Sequence, residues 1–541
     1  MVIAVNRHYK FHAFLFTLLS FQLFISFPVA FISKFFAIAI FIGVLLHIKK
    51  IKFEYTRWQE IAVFFVVSGY LTFAIFGYDL FVTNTLDLHR LLRLSFFVTG
   101  FIWTSYVLQS LLDAIAFLDN AKNRLCSPSN DGYWKKWFVL LVIMFVMFMI
   151  WQRAFNPIVM SPDSYQYIMN SYLVGRSVLY VFFNNLIMQV APTSPAVEWI
   201  GITQIFAFSC LLSTILMYFH KNWIRFKYIA VMAIILPMIP SFALHTIVIW
   251  ADLKVGMTIL WLTYVTVRII DEIILNNTAN KKQQLSLCVQ ICIAMVLMYF
   301  SKANTAVVYL VTVPVLAIFF ILRKQWNFLI SIALSVVFIL LIRFPGHDAL
   351  NAVRYPNLDA HKYFAGIHDM QAAYYNRGKF SDKNLALLKK YIPNIDDIRG
   401  NFRPDWVMRD DWGNLQGVKE NMTTREFVSM YADTFIRNPW QMSRSMLYRN
   451  RAYWVISPKK QINCVSYTGI WCRQTRTTTT QAPAIDVYRQ HNLLTNLMEQ
   501  YISIMDRYAP ATFIWRFGVW TALMVVSIAT LISQKRYIYI Y

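Results

Sequence analysis

The stretch that decides the reading is WFVLLVIMFVMFMIWQRAFNPIVMSPDSYQY, residues 137–167. Its first part, residues 137–155, is an apolar run of the length that crosses a bilayer as a helix, about 17–25 residues. Lys135 and Lys136 precede it and Asn156-Pro157 ends it. Ser161-Pro162-Asp163 follows closely and reads as a helix start, with Ser161 as cap and Asp163 at the positive end of the helix dipole. A carboxylate therefore stands just beyond a membrane exit.

Working outward, the same signal recurs along the chain. Of 541 residues, 58% are hydrophobic and 14% charged, against about 25% charged in an ordinary soluble domain. A soluble fold cannot hide that much apolar surface, so the excess faces lipid. Further spans lie at 61–77, 94–117, 197–219, 229–250, 255–270, 285–300, 306–322, 328–344 and 511–533. The run 11–48 reads as a helical hairpin broken near Pro28. The fold class is an all-α polytopic membrane protein with about twelve transmembrane helices. No small-residue cleavage site follows the first apolar run, so a removable signal peptide is not expected.

The net charge of +24 is informative once it is located. With the N-terminus (Arg7, Lys10) cytoplasmic, alternation puts these groups inside: Lys49, Lys50, Lys52 and Arg57; Lys122, Arg124, Lys135 and Lys136; Lys221, Arg225 and Lys227; Lys281 and Lys282; Arg323 and Lys324; Lys535 and Arg536. The short loops opposite hold Arg90, Arg93, Lys254 and Lys302. That distribution follows the positive-inside rule and puts both termini in the cytoplasm. No basic helix with DNA-reading spacing and no aromatic-rich RNA motif is present, so the charge does not indicate a nucleic-acid partner.

Residues 1–136 read as an N-terminal four-helix membrane region and 137–344 as a membrane core with an outer loop at 156–196. That loop contains two outer-face surface helices, 161–173 and 177–191, after the fifth crossing. Residues 345–510 have the mixed charge of a globular domain and form a mostly α soluble segment on the non-cytoplasmic side, between the last two helices. Within it 385–391 and 424–436 look helical, the latter opened by Thr423-Thr424-Arg425-Glu426, a capping box. Residues 511–541 are the final helix and a cytoplasmic tail. Cys464 and Cys472 lie together in the soluble segment and form a disulfide if it occupies an oxidising compartment. Cys126, Cys210, Cys288 and Cys292 fall in or beside apolar spans, where cysteine acts as a small hydrophobe.

Several short motifs extend the pattern: Ser161-Pro162-Asp163 with its Tyr165-Gln166-Tyr167 run, Pro237 and Pro240 before Ile249-Trp250-Ala251-Asp252, and Lys302-Ala303-Asn304 opening a helix. Asn438-Pro439-Trp440 and Tyr453-Trp454 follow in the soluble segment. Together they resemble bacterial GT-C-type glycosyltransferases, polytopic enzymes that take sugars from polyprenyl-phosphate carriers and modify O-antigen or other cell-surface glycans. The resemblance runs over most of the region from Asn156 onward. It departs at Arg176-Ser177-Val178, where a His-Pro-Pro-like start to the second surface helix is expected.

The resemblance implies glycosyl transfer at the outer face of a bacterial inner membrane. Its partners are a polyprenyl-phosphate sugar donor, a glycan acceptor and the surrounding lipids. Asp163 is the expected catalytic base, since an attacking hydroxyl must lose its proton. Asp252 is the second catalytic candidate, as a carboxylate orienting the acceptor or a divalent cation. Lys254, Lys302 and Arg176 are the cations expected near the leaving lipid phosphate. Tyr165, Gln166 and Asn304 complete the expected substrate contacts. No His/Asp/Glu cluster fixes a metal, so the sequence assigns no cofactor and leaves a divalent cation open.

Phosphate-cradling loops of the Walker type, Gly-rich dinucleotide fingerprints and Gly-x-Ser-x-Gly elbows are missing. This argues against ATP-driven transport and against a cytoplasmic nucleotide-sugar enzyme. A polymerase or ligase of O-antigen type and a lipid-linked-glycan transporter are the competing readings. The transporter predicts paired repeats and broken helices near mid-membrane.

Overall fold

The computed structural model describes residues 66–74, 97, 101, 104, 132–156, 173–174, 178–191, 197–222, 224–249, 251–275, 279–302, 305–346, 349, 353–354, 363–392, 395, 422–449, 492–507, 521–525 and 527. They fall into two compact units, one within 115–354 and 463–515, the other within 1–114, 355–462 and 516–530. Both are helical.

The first unit contains α1 (Tyr133–Ala154), α2 (Val178–Val190), α3 (Val197–Asn222), α4 (Phe226–Met238), α5 (Pro240–Thr246), α6 (Ala251–Ile269), α7 (Lys281–Ser301), α8 (Thr305–Leu322) and α9 (Trp326–Leu341). Short π-helical turns extend α6 (Ile270–Leu275) and α9 (Ile342–Gly346). Among the described residues six helices are long and apolar enough to cross a membrane: Tyr133–Ala154, Val197–Asn222, Leu253–Ile274, Lys281–Ser301, Thr305–Leu322 and Trp326–Gly346. Each coincides with a span expected from sequence. The chain is thus a multi-pass membrane protein. Val307, Leu310 and Ile318 on α8, with Ile330, Val337 and Phe338 on α9, stay exposed, as side chains facing lipid do.

The span expected at 229–250 is corrected. It is not one helix: the chain breaks at Ile239, whose backbone is extended (φ −72°, ψ 111°), between α4 and α5. Pro240 is the cause, because it lacks an N–H and its ring disfavours helical geometry at the preceding residue. At about 1.5 Å per residue, neither a 13-residue nor a 7-residue helix spans a core about 30 Å thick. Together they still carry the chain from one end of the bundle to the other. His220, near the end of α3, packs on Phe226 at the start of α4 (5.5 Å between rings). Thr246, the last residue of α5, and Val248 beyond it meet Gln204 near the beginning of α3.

The remaining contacts sort the helix ends. Arg153 at the end of α1 pairs with Glu198 at the start of α3 (2.9 Å). Thr258 in α6 lies 3.4 Å from Ser301, the last residue of α7. Arg343, beyond α9, donates to Tyr299 Oη (2.5 Å). At the far end Lys136 meets His220 (3.2 Å), Trp137 donates to Thr214 (3.1 Å), and Tyr218 hydrogen-bonds Asp271. The far end therefore holds Lys136, His220, Lys221 and the α6–α7 connection with Lys281. Lys136, Lys221 and Lys281 belong to the basic groups that sequence assigns to one side.

The second surface piece expected in the outer loop is helical, as α2. Leu173–Val174, where the first was expected to end, is instead extended and pairs in parallel with Val353–Arg354. Residues 161–172 lie outside the described residues. A later helix, α14 (Leu493–Arg507), packs on α1: Thr495 Oγ1 donates to Ala154 O (2.5 Å), Tyr501 Oη to Met238 O (2.8 Å), and Ile502 joins the same core.

The second unit has a bundle of α10 (Phe364–Tyr375), α11 (Asp382–Tyr391), α12 (Thr424–Arg437) and α13 (Pro439–Arg449). Both helices expected from sequence here are present. Thr423 and Glu426 form the reciprocal cap expected at the start of α12. The core is built on Ile367, Met370, Leu388, Tyr391, Met430 and Met442. In the same unit residues 66–72 are helical, and Thr72 and Thr104 share a 2.5 Å hydrogen bond. The hairpin expected at 11–48 and most of the span at 511–533 lie outside the described residues.

Candidate functional site

One end of the membrane bundle carries a polar cluster that lipid alone cannot satisfy. Gln204, in the first half of α3, is buried (4% exposed). Its Nε2 donates to Thr246 O (3.3 Å) and Val248 O (3.2 Å), carbonyls at the end of α5 and in the irregular segment that follows it. Its Oε1 accepts from Tyr180 Oη (2.8 Å) and from Lys254 Nζ. The chemistry fixes the amide's orientation, since lysine only donates and carbonyls only accept. Non-helical backbone at membrane depth must be satisfied by protein or water. Gln204 does this for two carbonyls and also holds a cation.

Lys254 lies one residue into the crossing part of α6 and is half-buried. Its Nζ stands 4.1 Å from the centre of the Tyr180 ring. Such a contact contributes about 0.5–2 kcal/mol, more as the site is desolvated. Among the described residues no carboxylate pairs with it. An ammonium has three donors, so the bond to Gln204 leaves Lys254 able to bind an anion.

Tyr180 reaches the cluster from α2. Asn184, one turn on, is buried beside it (1% exposed). Helix α2 is thereby fastened to α3 through the Tyr180 hydroxyl. On the other side, Thr258 Oγ1 donates to Lys254 O (2.9 Å) and lies 3.4 Å from Ser301 Oγ. Lys302 follows Ser301 directly, and its backbone closes the turn into α8, with Thr305 Oγ1 donating to Lys302 O (2.5 Å).

The structure therefore brings Lys254 and Lys302, two of the cations singled out by sequence, to one end of the bundle. Asp252 begins the same helix, in the first turn of α6. Asp163, Tyr165, Gln166, Arg176, Asn304, Cys464 and Cys472 lie outside the described residues. Sequence reasoning missed Tyr180 and Gln204. The available signal was a glutamine inside an apolar crossing, since polar side chains at that depth usually serve a purpose. Among the described residues no three His, Cys, Asp or Glu side chains group as metal ligands. Comparison with family models, curated proteins and solved structures finds no match.

Proposed function

We propose that the chain is a membrane glycosyltransferase that moves a sugar from a polyprenyl-phosphate carrier to a cell-surface glycan. It works at the outer face of a bacterial inner membrane, with about twelve crossings and both termini in the cytoplasm. The carrying observation is a lysine at membrane depth whose described partners are neutral: Gln204 and the Tyr180 ring. A cation so placed suits a phosphate that stays attached to lipid, because its reactive head lies at that depth. The end of the bundle with Lys254 is opposite the end with Lys136, Lys221 and Lys281, which the positive-inside rule assigns to the cytoplasm.

In this reading the acceptor oxygen attacks the anomeric carbon as its proton passes to the Asp163 carboxylate. The bond from that carbon to the phosphate oxygen breaks, and its electron pair leaves with the polyprenyl phosphate. Lys254, with Lys302 and Arg176, offsets the charge that grows there. Asp252 orients the acceptor, directly or through a divalent cation, and Tyr165, Gln166 and Asn304 contact the substrates. The soluble segment holds the acceptor glycan.

A second reading, a lipid-linked-glycan transporter, is favoured by the break at Ile239, since discontinuous helices mark transporter sites. Against it, Gln204 already occupies the Thr246 and Val248 carbonyls, the ones freed where α5 ends. Purified protein in liposomes, given polyprenyl-phosphate sugars and a glycan acceptor, distinguishes the two. Transfer is expected, and Asp163→Asn should lower it by about 10²-fold or more. Undiminished transfer by folded Asp163→Asn removes that residue as the base. Movement of the intact lipid-linked glycan without any transfer supports the transporter instead.

A further inference from the structure

A turn in the second unit places an arginine where the backbone favours glycine. Helix α10 ends by bending back on itself: Arg377 N donates to Tyr374 O (3.0 Å) and Gly378 N to Ala373 O (2.8 Å). This stop needs one residue in the left-handed region, usually glycine. Here Arg377 occupies it (φ 56°) and the glycine comes next. Gly378 is needed for closeness: a Cβ there would lie 2.6 Å from Asn438 Oδ1 and 2.7 Å from Ala373 O. Asn438, buried ahead of α13, clamps the following residue, accepting from Lys379 N (2.6 Å) and donating to Lys379 O (2.7 Å). The turn is pinned by these bonds, and it displays two cations, Arg377 and Lys379, both exposed.

Beside them is an open depression of about 260 Å³ lined by Tyr374, Arg377, Gly378, Phe380 and Leu385. The rings of Tyr374 and Phe380 stand 6.0 Å apart and 68° to each other. Aromatic faces take the apolar side of a sugar ring, and a guanidinium takes a carboxylate through two parallel hydrogen bonds. The volume is below the roughly 300–1,000 Å³ of pockets for drug-sized ligands, which suits one ring rather than a long chain.

We propose that this depression binds a single sugar ring bearing a carboxylate, a uronic acid unit of a glycan, with Arg377 as its anchor and Tyr374 and Phe380 lining it. As a handle on the acceptor it rests on the transferase reading. Binding is measured without transfer, so the two fail separately.

The informative variant is Arg377→Gly, because it removes the guanidinium and puts the preferred residue at the left-handed position. Full-length protein is titrated with oligogalacturonate, with a neutral malto-oligosaccharide and with mannose 6-phosphate. The native chain should bind oligogalacturonate, and Arg377→Gly should bind it about tenfold more weakly or worse while its Tm is unchanged or higher. Arg377→Lys should fall between, having the charge without the fork. Equal binding of oligogalacturonate by native chain and Arg377→Gly overturns the proposal. So does equal affinity for the neutral oligosaccharide, or binding of the phosphorylated sugar alone.

Discussion

Lys254 donates to the side-chain oxygen of Gln204, and the same amide closes two backbone carbonyls, at Thr246 and Val248. One side chain thus joins α3, α6 and the irregular stretch after α5, while Tyr180 ties in α2. Replacing Gln204 by leucine leaves two carbonyls and a cation without that partner. The expected loss is about 2–4 kcal/mol, since each orphaned buried group costs about 1–3 and relaxation recovers part. Tyr180→Phe removes one hydrogen bond and keeps the ring under the cation, so its cost is about 1 kcal/mol. Thermal unfolding in detergent should rank native, Tyr180→Phe and Gln204→Leu in falling order. A Gln204→Leu protein as stable as native would contradict the assigned contacts.

The parts legible in the sequence are those set by local, additive signals. The six described crossings follow from apolar length and flanking charge, and Thr423-x-x-Glu426 follows from spacing. The break at Ile239 was hidden because hydropathy sums straight through Pro237 and Pro240, both of which leave the average apolar. The segment that follows, from Thr246 to Val248, is held by Gln204, more than 40 residues earlier in the chain, and no local pattern encodes such a partner. Tyr180 was hidden for a similar reason. In an apolar helix a tyrosine reads as an interface anchor, and only the fold puts its hydroxyl against Gln204 and its ring beneath Lys254.

In the second unit α10 and α12 approach closely at a glycine. A Cβ on Gly366 would stand 2.4 Å from Phe427 Cζ and 3.0 Å from Tyr431 Cδ2. Those rings stack along α12 (5.8 Å, 29°), and Phe427 also packs on Tyr363 (4.6 Å). Gly366→Ala gains about 0.5–1 kcal/mol of helix preference but overpacks this contact at a cost of about 1–3 kcal/mol. The crowding should win. The variant is expected to unfold at a lower temperature than native, and a higher Tm would show that the helices can separate freely.

Two carboxylates give this unit an acid-sensitive component. Glu426 is held below the usual carboxylate range by hydrogen bonds from the Thr423 side chain and backbone, aided by Tyr391 and Lys390. Asp433 is lowered by its bond to Arg437, then by Asn384 and Ser381. Both pKa values are lower folded than unfolded. Their contribution is therefore complete above the unfolded carboxylate range, about pH 4, and is lost as the pH falls through the lower folded values. Unfolding followed at pH 6 and at pH 3 should show a smaller acid loss in Glu426→Gln/Asp433→Asn than in native protein. An identical loss in both would assign the acid response elsewhere.

Sidedness is what the proposed chemistry needs first: the end of the bundle with Lys254 must face away from the cytoplasm. Phe344, exposed beyond α9, marks that end, and Lys282, exposed at the start of α7, marks the other. The direct measurement replaces the chain's six cysteines and places a single one at either position. A membrane-impermeant maleimide is then applied to intact cells. Labelling is expected for Phe344→Cys in intact cells, and for Lys282→Cys only after the membrane is opened. The reverse pattern would put Lys254 at the cytoplasmic face and contradict transfer at the outer surface.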